Sequence, residues 1–125
     1  MKRMSWRHLL LVAAITVACT TWVAKVRAAS PFDGSWNVAI TTDNGACGPA
    51  RIGIFISNGV MQYAGDSSVV VRGRVARNGT VGVSVASGDR TASGRGRLVA
   101  NAGNGTWRGT SSTGACIGRW SAARQ

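Results

Sequence analysis

The run Val69-Val70-Val71-Arg72-Gly73-Arg74-Val75-Ala76-Arg77-Asn78-Gly79-Thr80-Val81-Gly82-Val83-Ser84-Val85 decides the fold. Apolar residues recur at every second position on both sides of an Asn-Gly pair, the pattern of two half-buried strands joined by a hairpin. A two-residue turn at Asn78-Gly79 would set Arg74 opposite Val83. A three-residue loop of Arg77, Asn78 and Gly79, with Gly79 left-handed, is the next commonest type. It pairs Val75 with Val81, Gly73 with Val83 and Val71 with Val85. The apolar faces then agree, as they must where one face is buried.

The same logic extends outward. Asn-Gly recurs at Asn44-Gly45, Asn58-Gly59 and Asn104-Gly105, and turn signals return every 8 to 12 positions. That spacing predicts an all-β sandwich or barrel. Strands are expected at 35–41, 50–57, 60–64, 68–76, 80–86, 91–99, 106–111 and 116–122. A two-residue turn at Asn58-Gly59 pairs Ser57 with Val60, Ile56 with Met61 and Ile54 with Tyr63. A four-residue loop over 87–90 sets Val85 opposite Ala92 and Val83 opposite Gly94. Further four-residue loops over 101–104 and 112–115 give three rows: Leu98, Trp107 and Trp120 facing inward, Gly96, Gly109 and Gly118 also inward, and Arg97, Arg108 and Arg119 outward. Eight antiparallel strands in sequence order tend to close, because closure removes exposed edges. The expected fold is a small eight-stranded up-and-down β-barrel, with an open two-layer β-sandwich as the alternative.

Residues 1–28 read as a secretory signal peptide, a helix preceding the single β domain of 29–125. A basic start (Lys2, Arg3, Arg7) precedes a 16-residue apolar run over 9–24. That run is short for a membrane span, which needs about 20 residues, and it suits an export signal. Val26-Arg27-Ala28 offers small residues for cleavage after Ala28, leaving no stable membrane span. Lys25 and Arg27 are unusual beside such a site, and Cys19 after Thr16-Val17-Ala18 distantly resembles a lipoprotein box. Lipidation and a retained anchor therefore stay open as alternatives. The expected location is periplasmic or secreted.

Past Ala28 the chain holds ten Arg, no Lys, four Asp and no Glu, a basic surplus of six charges. All 17 Gly lie there, with one Leu and one Met. Strong helix formers are nearly absent, which excludes a helical bundle. Cys47 and Cys116 remain as an even pair, which in an oxidising compartment predicts a disulfide. It would pin the first strand to the last. The chain-entropy estimate for a loop of roughly 70 residues is about 4 kcal/mol, a large share for so small a core.

Three phrases stand in order: Phe32-Asp33-Gly34-Ser35-Trp36, Gly103-Asn104-Gly105-Thr106-Trp107-Arg108-Gly109, and Gly114-Ala115-Cys116-Ile117-Gly118-Arg119-Trp120. Together they resemble a family of small secreted bacterial proteins carrying FDGxW, GxGTWxG and GxCxGxW, for which no function is assigned. The resemblance spans the whole of 29–125 and implies a secreted, disulfide-linked unit. It implies nothing about activity.

Chemistry is narrowed by what is missing. The only His is His8, in the leader. Without His, Lys or Glu in 29–125, the common general acids and bases reduce to Asp33, Asp43, Asp66 and Asp89. All four neighbour Gly, Asn or Ser, where Asp shapes turns through its own side chain. No base stands ready to activate a serine, and no ligand set for zinc or calcium is visible. The expectation is a non-enzymatic protein with no cofactor and no metal.

What remains is arginine and tryptophan. Arg72 and Arg74 share a strand face, as do Arg95 and Arg97, with Arg108 and Arg119 on the last two strands. Like charges directly opposite repel, and an anion seated on them would relieve this. Arg binds phosphate, sulfate and carboxylate through two parallel hydrogen bonds. The functional expectation is an outward arginine strip for an acidic glycan, a lipid phosphate or an acidic protein. The plainer reading is a surface charged for solubility. Nucleic acid fits poorly, because stacking aromatics are needed on the same face. A second expectation is a small-ligand carrier whose interior is lined by Trp36, Trp107, Trp120 and Tyr63, with Phe32; the plainer reading is that these are the core, since so short a barrel has little volume to spare. A third is a protein–protein module, such as an inhibitor of a cell-envelope enzyme.

Overall fold

The computed structural model describes residues 18–20 and 30–125; the rest of the expected leader, with its helix and cleavage site, lies outside the described residues. Eight antiparallel strands close into a barrel in sequence order. They are β1 (Gly34–Asn44), β2 (Ala50–Ser57), β3 (Val60–Tyr63), β4 (Val70–Val75), β5 (Thr80–Ser87), β6 (Arg90–Val99), β7 (Ala102–Ser111) and β8 (Gly114–Arg124). The last strand pairs with the first, Val38 opposite Ala122 and Ile40 opposite Trp120. The closed barrel is therefore the observed fold and the open sandwich is not.

The first half of the register follows the expected turns. Asn58 and Gly59 both have positive φ (51° and 77°), and Ile56 pairs with Met61 and Ile54 with Tyr63. Gly79, at φ 90°, closes the loop that pairs Val75 with Val81, Gly73 with Val83 and Val71 with Val85. Val85 lies opposite Ala92 and Val83 opposite Gly94.

The last two hairpins differ from expectation. The β6–β7 turn is Ala100-Asn101, with Ala100 at φ 54°, so Val99 pairs with Ala102 and Leu98 with Gly103. Asn104-Gly105 lies inside β7 and is not a turn. Ser111 pairs with Gly114 in the next hairpin, which puts Trp107 opposite Gly118 and Gly105 opposite Trp120. The expected rows of Leu98, Trp107 and Trp120, of Gly96, Gly109 and Gly118, and of Arg97, Arg108 and Arg119 do not form. Each tryptophan lies beside glycine instead: Trp107 between Gly94 and Gly118, and Trp120 beside Gly105 and then Gly96. A Cβ on Gly105 would stand 2.6 Å from the Trp120 ring, and one on Gly96 2.5 Å from it. The glycines are the floor on which the indoles lie.

The two barrel ends are built from different parts. At the end where β1 begins, Phe32, Trp36, Ile56, Val75, Val81, Leu98 and Ala122 are buried together. The Trp36 indole donates to the Phe32 carbonyl (2.9 Å). Arg124 lies over the Trp36 ring at 4.7 Å and donates to the carbonyls of Asp33 (2.6 Å) and Pro31 (2.8 Å). At the opposite end Ile40, Ile52, Val71, Val85 and Ala92 face inward but are only half-buried. That end carries the Cys47–Cys116 disulfide, Cα–Cα 6.2 Å, across the seam where β8 meets β1.

Candidate functional site

Six arginines were singled out by sequence, and the structure places all of them on the outer wall, exposed. Their arrangement is not the expected one. One lateral row runs Arg74, Gly82, Arg95, Thr106, Arg119 across β4 to β8. The next runs Arg72, Ser84, Ser93, Arg108, Ile117. No two of these arginines stand directly opposite each other. In the first row they occupy alternate strands, roughly 10 Å apart at about 4.8 Å per strand. Gly, Ser and Thr fill the gaps, so the cross-strand repulsion expected from sequence is avoided, and that reason for a seated anion falls away. Arg97 lies one row nearer the plugged end, between Thr80 and Asn104.

Two shallow grooves join on this face. One is bounded by Arg95, Arg108 and Arg119, with Ser93 and Thr106 between them. The other holds Arg72 and Arg108 beside Val70 and Ile117, and Ile117 is 53% exposed. The irregular step in β1 pairing at residues 42–44 falls at Asp43, whose carboxylate accepts from Arg119 Nε (3.0 Å) and Nη2 (3.1 Å). Asp43, through the hydrogen bond first and its charge second, raises the Arg119 pKa above the ordinary arginine value. Arg119 is therefore already engaged. Arg72, Arg74, Arg95, Arg97 and Arg108 have no hydrogen-bond or ion-pair partner among the described residues.

The other three aspartates are tied down, and mostly not in their own turns. Ser68 donates to Asp66 through both its amide and its hydroxyl, the one local turn of the expected kind. The amides of Asn58 (2.9 Å) and Gly59 (3.1 Å) donate to Asp33 from the β2–β3 turn. The Ser112 amide donates to Asp89 from the neighbouring loop (3.1 Å). Burial pushes the Asp33 carboxyl up, but these amides outweigh it and hold it below the ordinary range. Ser68 lowers Asp66, and Ser112 lowers Asp89. Sequence reasoning took all four as makers of their own turns; three instead bridge distant segments. It also missed Arg124, which secures the plugged end, because nothing local marks a penultimate arginine.

The four aromatics named for the interior split. Trp36, Trp107 and Trp120 line an internal cavity of about 160 Å³, more room than so short a chain was expected to leave. Gly94 is the one glycine that lines it; the places beside Gly96 and Gly105 are filled by the Trp120 ring. Tyr63 has the inward register but packs toward Gly65 and is not among the lining residues. Among the described residues no three His, Cys, Asp or Glu side chains gather as a metal site, and no helix is long and apolar enough to cross a membrane. The disulfide fits an oxidising compartment. No protein-family profile, no curated protein and no solved structure matches the chain.

Proposed function

We propose that the protein is an exported, non-enzymatic binding domain whose outer β4–β8 face engages an anionic partner. The observation that carries this is the set of five unpartnered guanidinium groups on β4, β6 and β7, beside a groove offering Ser and Thr hydroxyls. Arginine at such a place presents paired donors to phosphate, sulfate or carboxylate. Little acidic charge is left to compete: Asp43 neutralises only Arg119, and Asp33 and Asp89 point into loop amides. The signal-like residues 1–28 and the disulfide support a periplasmic or secreted location. Exposed Ile117 and Val70 beside Arg108 and Arg72 favour a partner with an apolar part next to its anion, such as a lipid phosphate, over a bare glycan.

Retention tests this. The oxidised protein should bind heparin resin and vesicles containing anionic phospholipid, and release as salt screens the contacts. The triple variant Arg72→Ala, Arg95→Ala, Arg108→Ala should elute from both at clearly lower salt. Vesicle binding alone should weaken further with Ile117→Ser. Unchanged elution of the triple variant would remove the arginine face from the reading.

A further inference from the structure

We propose that the barrel interior is a second site, which takes the hydrocarbon part of a single unbranched alkyl chain, entering tail-first from the disulfide end and leaving its polar head in water. The proposal is independent of the outer arginines, because inner and outer side chains alternate along each strand.

The shape of the interior carries it. The cavity of about 160 Å³ is bordered by Trp36, Val38 and Ile40 of β1 and by Ile56, Ile54 and Ile52 of β2. These are successive inward positions on two paired strands, so the space follows the barrel axis past several layers of side chains. Four residues of strand cover about 13 Å, and a strand tilt of about 40° leaves roughly 10 Å of that along the axis. Engineered apolar cavities of about 150 Å³ take up benzene, which sets the content at roughly six to eight non-hydrogen atoms. So few atoms spread over that length form a single file, which is an alkyl chain and not a ring.

Polarity and access fix which way the ligand lies. No polar atom of the lining faces the space, and no ionisable side chain borders it. The Trp36 and Trp107 indoles spend their N–H groups on the Phe32 and Thr41 carbonyls. A polar group drawn inside would lose its hydration and gain no hydrogen bond, so only hydrocarbon enters. One end is shut, because Phe32, Trp36 and Leu98 are buried together there. Toward the disulfide Ile40, Ile52, Val85 and Ala92 are only half-buried, and the head stays outside at that end.

Neutral straight-chain alcohols from butanol to decanol test this without engaging the arginines. Titrated into the oxidised protein, they should shift the methyl resonances of Val38, Ile40, Val83 and Val85 and leave those of the exposed Val70 and Ile117 still. Affinity should rise about fourfold per added carbon, the increment for one buried methylene. It should level off at about eight carbons, where the space is full. Ala92→Leu narrows the open end and should weaken the binding of octanol. Val83→Phe, deeper in the barrel, should move the levelling-off to shorter alcohols; if one variant fails to fold, the other carries the test. Absence of saturable binding would overturn the proposal. So would an affinity indifferent to alcohol length, shifts confined to Val70 and Ile117, or a folded variant that behaves as the parent does.

Discussion

The two ends of this barrel solve the same problem by different means. Around Trp36 the strands are capped by their own flanking chain: Phe32 fills the opening, Arg124 covers the indole, and Asp33 ties β1 to the β2–β3 turn. Around Cys116 no such cap exists among the described residues. The inward side chains there stay half-exposed, and the β8–β1 seam is held by a covalent bond. A small domain buries too little to pack every surface. Packing is concentrated at one end, while the disulfide lets the other stay open without the seam parting.

This contrast can be broken by mutation, beginning at the packed end. Trp36→Ala removes the most buried large side chain, 1% exposed, and should cost about 3–5 kcal/mol in denaturant unfolding. A cost under about 1 kcal/mol would mean that the plug is not close-packed. The pair Cys47→Ser and Cys116→Ser should cost about 2–4 kcal/mol. Amide exchange should speed up first in the open-end portions of β1 and β8, leaving the Trp36 region protected. Equal loss of protection at both ends would sink the distinction.

Gly105→Ala sharpens the point in the middle of the barrel. A Cβ there would stand 2.1 Å from the Arg95 carbonyl oxygen and 2.6 Å from the Trp120 ring, and should cost about 1–3 kcal/mol. The smallest effect is on the acid limb of stability. The folded Asp33 carboxyl sits below its ordinary value, so its contribution is complete above about pH 4 and is lost as pH falls through the lower folded value. Asp33→Asn should flatten that limb in melts between about pH 2 and 4 and leave neutral pH nearly unchanged in pH dependence. Asp66 and Asp89 shift in the same direction and keep the limb from vanishing.

How much of this was legible is itself instructive. Hairpins around Asn58-Gly59, Gly79 and Gly88-Asp89 could be registered from sequence because turn chemistry and valine alternation agreed. From Leu98 onward the alternation is as regular, but it repeats as Gly and Trp inside against Arg, Ser and Thr outside. A slip of two or four residues then leaves every side chain on its proper face. Burial fixes parity, not position. Asn104-Gly105 supplied a false turn signal, because Gly105 is needed under Trp120 and not at a bend. Inner and outer faces were thus readable, the disulfide was readable, and the lateral neighbours of each arginine were not. The Asp43–Arg119 pair depended on a local step in β1 that no residue pattern announces.

The outer arginine face is tested most directly by mapping a bound anion onto backbone amides. With the oxidised, labelled protein and a sulfated oligosaccharide, shift changes should cluster at Ser93, Arg95, Thr106 and Arg108. Phe32, Trp36 and Leu98 at the plugged end should stay still. Changes centred on the plugged end, or spread evenly over the barrel, would contradict a binding surface on β4–β8.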